Sequence, residues 1–294
     1  MDFLQNLQKA INYIEEHLLE AITYKDIAKY VYMSNYYFHK TFRLITGMTV
    51  NEYIRGRRLS MAGQELSLSE AKVIDIALKY GYDSPESFSK AFMRFHGITP
   101  SNARRMGTKL KSFNRLSVKI VVEGGSIMDY RIEKKDSFRL LTKVKKFRNE
   151  IIYEEGNTEI SDYWTQCSKD GTFDILREET LRHNIFCPCA PISEESDYFE
   201  YGIGMEYEGE NIPAGYTIWE VKPAIWGVFK CIGDSDKCVR ETWSKIYSEF
   251  LPGSEYCLMD ETDIEFYPQV GGRNLPCEIW IPVEKRNKGA IPCK

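Results

Sequence analysis

The apolar and polar positions of the first hundred residues fall into a helical rhythm that is written twice. Thr23 can cap a helix running to about Val31, and Ser34 caps a second running to about Ile45, whose apolar stripe is Phe38, Phe42 and Ile45. Fifty residues on, Ser34, Phe38, Lys40, Phe42, Gly47 and Thr49 recur as Ser84, Phe88, Lys90, Phe92, Gly97 and Thr99. Ile27-Ala28 recurs as Ile76-Ala77 at an offset of 49, so the second copy has one extra residue in its turn. In that copy Ser69 precedes a helix over Glu70 to Tyr80. Ser84 caps the next, with Pro85 at its first position, where the missing N–H costs nothing, and Phe88, Phe92 and Phe95 as its stripe. Gly47 and Gly97 stand where a left-handed residue ends a helix, and Thr49 and Thr99 can each cap the next helical segment. Each copy is two short helices with a tight turn, and Val50 to Glu65, free of proline, reads as one helix connecting them.

The polar faces of the second helices are candidate DNA readers. In the first copy Tyr36, His39, Lys40 and Arg43 share a face away from the phenylalanines; in the second, Glu86, Ser87, Ser89, Lys90 and Met93 lie outward. A rigid connector would set two such helices apart, and entry into successive major grooves on one face of a duplex needs roughly 34 Å. Arg55, Arg57 and Arg58 of the connector, with Lys72, Arg104 and Arg105, are candidates for phosphate contacts, which position a protein without specifying sequence. Charge agrees: residues 1–115 carry 17 Lys+Arg against 11 Asp+Glu, whereas the remainder carries 22 against 32, a split hidden in the net charge of -4. A basic half joined to an acidic half suggests that one half meets a polyanion.

Beyond Met128 the period changes to that of strands. Tyr130–Glu133, Phe138–Phe147, Phe199–Tyr207, Tyr216–Val221, Ala224–Cys231, Thr262–Tyr267 and Glu278–Val283 read as strands, interrupted by helices over about Glu159 to Ser168 and Lys237 to Phe250. Strand groups each holding one helix suggest an α+β domain of two similar halves. Residues 107–129 form a bridge, with a basic run at Lys109, Lys111 and Arg115, an alternating stretch from Leu116 to Val122, and a closing turn at Gly124-Gly125. On a strand, Glu265 shares a face with Asp263 and Tyr267 while Ile264 and Phe266 point the other way. A carboxylate among rings can neutralise a cation that the ring faces also attract. Trp164, Tyr201, Trp226, Trp243, Tyr267 and Trp280 are the rings available for such a wall, and Glu220 and Glu278 are alternative carboxylates.

Other chemistry finds little support. No stretch approaches the roughly 18 apolar residues of a membrane span, and Asp2 and the lack of a short apolar leader argue against a signal peptide, so a cytoplasmic location is expected. The eight cysteines all follow residue 160 without an even ladder of spacings and read as reduced thiols. His183, Cys187 and Cys189 lack the paired Cys-x-x-Cys of structural zinc. There is no nucleophile elbow, phosphate-binding glycine loop or His-Glu-x-x-His helix, so neither enzyme activity nor a metal or cofactor is expected.

Ile27-Ala28, Ser34, Phe38, Phe42 and Gly47, followed by Ile76-Ala77, Gly81-Tyr82, Ser84, Phe88, Phe92, Phe95, Gly97, Thr99-Pro100 and Arg104, resemble the AraC/XylS-type DNA-binding domain over about residues 1–106. That resemblance implies a bacterial transcription regulator that binds double-stranded promoter DNA, with base contacts from Tyr36, His39 and Lys40 in the first unit and Glu86, Ser87 and Lys90 in the second. Pro85 and Glu86 depart from the uncharged polar residues many members carry there, which alters the expected base preference of the second unit. The segments Tyr130-Arg131-Ile132, Tyr201-Gly202-Ile203, Trp243, Asp263 to Tyr267 and Ile279 to Pro282 resemble the GyrI-like effector-binding domain over roughly 128–285. The order, DNA-binding domain first, is that of the Rob-type members. The resemblance implies a cleft between two halves that takes a small, lipophilic or cationic molecule, with Glu265 matching a buried glutamate. It also leaves a hydrolase-type activity as an alternative, since some GyrI-like domains resemble hydrolases. The expected whole is an all-α double helix-turn-helix domain (1–106), a bridge (107–129) and an α+β GyrI-like domain (130–294). Its expected partners are DNA, a small-molecule effector and RNA polymerase; with two readers in one chain it can act as a monomer or weak dimer.

Overall fold

The computed structural model describes residues 3–118, 128–151, 156–233, 236–268 and 277–286. The described residues divide into two compact units, one holding 4–31 and 48–118, the other 32–47 and the described residues from 128 onward.

In the first unit, α1 (Phe3–Glu16) precedes α2 (Tyr24–Tyr30), which Thr23 starts with a reciprocal capping box through Asp26. Thr49 opens the connecting helix α4 (Val50–Leu68) in the same way with Glu52. Beyond it lie α5 (Val73–Lys79), α6 (Pro85–His96) and α7 (Pro100–Ala103). Ser84 caps α6 by accepting from the Ser87 amide, Pro85 stands at its first position, and Gly97 ends it at φ 80°. Helix α5 begins three residues later than its sequence suggests. Ser69 does not open it but ends α4, its amide bonding the Glu65 carbonyl, and the guanidinium of Arg104 takes the carbonyls of Ser69 and Ala71. The stripe of α6, Phe88 and Phe92, packs with Leu59, Ala62 and Leu66 of α4 and Ile76 and Ala77 of α5.

The basic part of the bridge runs along this helical unit. The amide of Phe113 donates to Ser60 Oγ (3.0 Å), Leu116 to the Tyr53 hydroxyl (3.1 Å) and Val118 to Gln8 (3.1 Å). His96 pins it as well: because Lys111 N–H donates to Nδ1 (3.2 Å), the proton is on Nε2, which donates to the Leu59 carbonyl (2.9 Å). A side chain at Gly63 would meet that ring at 2.7 Å, so glycine lets α4 and His96 approach. The expected turn at Gly124-Gly125 lies outside the described residues.

The second unit holds α3 (Asn35–Thr46) and the strand-rich region. Ser34 caps α3, accepting from the Tyr37 amide, and Gly47 closes it at φ 74°. The strands are β1 (Tyr130–Lys135), β2 (Phe138–Arg148), β3 (Ile185–Pro191), β4 (Tyr198–Glu206), β5 (Thr217–Val221), β6 (Ala224–Lys230), β7 (Tyr256–Leu258), β8 (Asp263–Tyr267) and β9 (Glu278–Lys285). Helices α8 (Glu159–Lys169) and α9 (Thr172–Glu179) precede β3; α10 (Asp236–Lys245), whose continuation widens to a π turn over Ile246–Phe250, precedes β7. The sequence signals missed β3, β7 and α9. Proline inside β3 and the shortness of β7 and α9 leave little periodicity to read.

All described pairings are antiparallel, in the order β1-β6-β9-β8-β3-β4-β2-β5, with β7 on β9. That order reads alike from both ends: β6-β9-β8 mirrors β2-β4-β3, and the two halves meet where β3 pairs with β8. The expected two halves are therefore joined at a seam, and Glu265 lies on a seam strand. Tyr163 and Cys167 of α8 pack on one half of the sheet face; Trp243, Ile246 and Tyr247 of α10 and its continuation pack on the other.

Six cysteines (Cys167, Cys187, Cys189, Cys231, Cys238 and Cys277) are free thiols. Cys257 is disulfide-bonded, a correction to the expectation of reduced thiols throughout, with no spacing in the sequence to mark it. Among the described residues no helix is long and apolar enough to cross a membrane.

Candidate functional site

The seam strands build the site by register. Cys187 is opposite Glu265, Cys189 is opposite both Asp263 and Tyr201, and Glu265 is opposite Ile279, so these side chains share the sheet face that α8 and α10 cover. The Tyr201 and Tyr267 hydroxyls donate to Glu265 Oε2 at 3.4 and 3.3 Å, and Trp164 Nε1 donates to the Tyr201 oxygen at 2.9 Å. The Trp164 and Tyr267 rings meet edge-on at 5.3 Å. Burial pushes the Glu265 carboxyl above the usual carboxylate range; Asp263 adds to the shift, while Lys40 and the hydrogen bond donated by Tyr267 oppose it. Burial likewise raises the thiols of Cys187 and Cys189, which stay protonated and unreactive.

Of the aromatic wall expected from the sequence, Trp164, Tyr201, Trp243 and Tyr267 gather around Glu265. Trp226 and Trp280 do not. Trp280 is opposite Ile264 and Val228, and Trp226 is opposite Pro282, which places both on the Phe266 side of the sheet. There they pack with Leu140, Phe186, Val221 and Val228 as core. The alternates are also accounted for: Glu278 is held by Arg131 and Trp280 Nε1, and Glu220 is exposed.

A cation already sits beside this site. Lys40 of α3 places Nζ 2.8 Å from Asp263 Oδ2 and 3.5 Å from the centroid of the Trp243 ring, with side-chain exposures of 1% for Lys40 and 3% for Asp263. Ammonium, carboxylate and indole face compensate one another; removing one member of a buried pair costs about 3–5 kcal/mol, because the other charge stays dry. The remainder of α3 is fastened in the same direction. The Tyr37 hydroxyl donates to the Glu261 carbonyl, Ser34 Oγ donates to Asp260 (3.2 Å), and the Asn35 amide donates to the Glu194 carbonyl (2.9 Å). Met33, Tyr36 and Tyr37 join the cluster under α8, whereas Leu44 and Ile45 join the one under α10, so α3 lies across the seam.

This corrects the expectation that the polar face of the first copy points outward. Tyr36, His39, Lys40 and Arg43 are all buried, and ten of the twelve α3 residues are, against three of twelve in α6. Glu86, Ser87, Lys90 and Met93 of α6 are exposed as the pattern suggests, Ser89 is half-buried, and Arg94 joins the exposed face. The phosphate candidates also divide. Arg55, Lys72 and Arg105 are exposed. Arg57 instead makes a two-pronged bond to Glu15 (2.8 Å each) and donates to the Phe113 carbonyl; Arg58 donates to the carbonyls of Leu18 and Glu20; Arg104 is spent on the two carbonyls ahead of α5. Those three fasten the helical unit together, a role their positions in a basic run did not reveal.

A helical region with two helix-turn-helix copies, followed by an antiparallel sheet domain with a helix-covered acidic and aromatic site, defines a DNA-binding regulator with an effector-binding domain. Residues 27–106 match the family described as helix-turn-helix domain, and residues 131–283 the integron-associated effector binding protein. The chain is 37% identical over 114 residues to the HTH-type transcriptional activator AarP of Providencia stuartii, covering 39% of this chain and 84% of AarP. It is 38% identical over 104 residues to the regulatory protein SoxS of Salmonella typhimurium, covering 35% of this chain and 97% of SoxS. A match of 38% identity to YbfP of Bacillus subtilis, an HTH-type transcriptional regulator, spans 35% of each chain, so only about a third of YbfP is covered. Among solved structures, SAV2435 bound to tetraphenylphosphonium aligns with 53% of this chain and 94% of its own, at 18% identity and a TM-score of 0.47. The chain belongs to the AraC-type helix-turn-helix transcription regulators, and its C-terminal region to the family of integron-associated effector binding proteins.

Proposed function

We propose that this regulator reads promoter DNA with α3 and α6 and binds a lipophilic monocation in the site around Glu265. The observation that carries the ligand class is the Lys40 ammonium, buried between a carboxylate and an indole face. A site that stabilises one desolvated cation has the chemistry for another, and Tyr201, Tyr267 and Trp164 extend the aromatic wall toward Glu265. On DNA, Glu86, Ser87 and Lys90 meet base edges in one groove and Tyr36, His39, Lys40 and Arg43 in the next, with Arg55 on phosphate. The protein acts in the cytoplasm as a non-enzymatic regulator, engages RNA polymerase at the promoter, and needs no second copy to present two readers.

Calorimetric titration of the full chain with tetraphenylphosphonium tests the ligand class. Saturable binding that Glu265→Gln weakens supports it; equal binding by that variant removes Glu265 from the site, and no binding rejects a lipophilic monocation as effector. Turnover of reactive esters that disappears in the same variant would favour the hydrolase alternative.

A further inference from the structure

We infer that α3 is the effector site's own internal occupant, so that the DNA-reading helix of the first copy and the effector compete for one place. This rests on the reading of the Glu265 site as a cation site.

The geometry is that of a plug. Helix α3 spans the seam between the halves, its N-terminal end in the cluster under α8 and its C-terminal end in the cluster under α10. Midway, Lys40 puts its ammonium on Asp263 and over Trp243, beside Glu265. Ser34, Asn35 and Tyr37 fasten the N-terminal end to Asp260, Glu194 and Glu261, and Ser244 Oγ reaches the Leu44 carbonyl (3.4 Å) at the other end. The four residues that would read bases are buried in this arrangement, so the docked helix presents no reading face to a groove. A cation entering beside Glu265 meets a site whose carboxylate and ring already serve Lys40. Two positive charges in one desolvated place repel, so effector binding and α3 docking exclude one another, and the effector shifts the population toward free α3. Binding thermodynamics then makes the coupling reciprocal: DNA that captures α3 must tighten effector binding by the same factor.

Two measurements on the full chain decide this. The first is hydrogen exchange with and without saturating tetraphenylphosphonium. Amides of 34–46 should lose protection when the cation binds, while those of α6 do not, and promoter affinity should rise about tenfold or more. Cation binding that leaves α3 protected and DNA affinity unchanged overturns the proposal. The second needs no effector. Asp263→Asn leaves Lys40 without its carboxylate, so α3 should exchange freely and DNA affinity should reach the cation-saturated level without added ligand. Should that variant unfold, Tyr37→Phe combined with Asp260→Ala removes two fastenings at the rim and should give the same change in smaller measure. If tetraphenylphosphonium fails to bind while these variants release α3 and tighten DNA binding, the ligand reading falls and the docking survives. If the variants change neither quantity, the docking falls.

Discussion

Lys40 and Lys90 occupy equivalent places in the two helix-turn-helix copies, yet Lys40 is buried on Asp263 and Lys90 is exposed on α6. One repeat has thus been committed to the effector-binding fold while its twin keeps an open polar face. Lys90→Ala should therefore weaken promoter binding directly, by about 1–3 kcal/mol and independent of any effector, and relax the preference for the base it contacts. Fluorescence anisotropy on the promoter duplex and on duplexes altered at single base pairs checks this; an unchanged base preference would take Lys90 off the base edges of the second groove.

The connector arginines should separate into two behaviours. Arg57→Ala breaks a two-pronged bond to Glu15, a carboxylate that Tyr53 also donates to and whose pKa these bonds hold below its ordinary value against the cost of burial. The expected loss is about 2 kcal/mol of stability in denaturant unfolding, with little change in the salt dependence of DNA binding. Arg55→Ala should do the reverse, because Arg55 is exposed. A stable Arg57→Ala variant would show that Glu15 finds other partners.

The helical repeat was legible because its punctuation is local. Ser34, Ser84, Thr49 and Thr99 each cap within three residues, and Gly47 and Gly97 take the left-handed backbone, so nothing distant is needed to place them. The docking of α3 was not legible from the copy-to-copy comparison, which rewarded what the helices share. The available signal lay in their difference. Beyond the common stripe, α3 carries Tyr36, Tyr37 and Leu44 where α6 carries Glu86, Ser87 and Arg94, so α3 is apolar on more than one side. Glu265 could be read from the alternation of β8, but the exclusion of Trp226 and Trp280 from its wall depended on which residues stand opposite across β6, β9 and β8.

Glu265→Gln should reduce affinity for tetraphenylphosphonium about tenfold or more, equivalent to at least about 1.4 kcal/mol. Because burial raises the Glu265 pKa, cation binding should also decline on acidification sooner than an ordinary carboxylate would allow. Trp226→Phe, on the other side of the sheet, should leave the affinity unchanged in the same calorimetric titration. A comparable loss in Trp226→Phe would mean that the ligand reaches through or around the sheet core.

His39 gives the folded chain a pH dependence of its own. It is 3% exposed, and burial, with Arg43 adding repulsion, lowers its pKa from 6.5 to about 4. Between those values the unfolded chain holds the proton and the folded chain does not, so folding stability rises with pH. The contribution is complete above about 6.5 and is lost progressively as pH falls toward 4, a change of about 3 kcal/mol across the window. Asp260, whose carboxyl burial raises to about 6, titrates there too, but it is common to a variant in which only His39 is replaced. Urea unfolding of the wild type and His39→Gln from pH 7.5 to 4.5 should give curves that converge on acidification, the wild type losing more. Parallel curves would mean that His39 is already solvated in the folded chain, as it would be if α3 spent most of its time undocked.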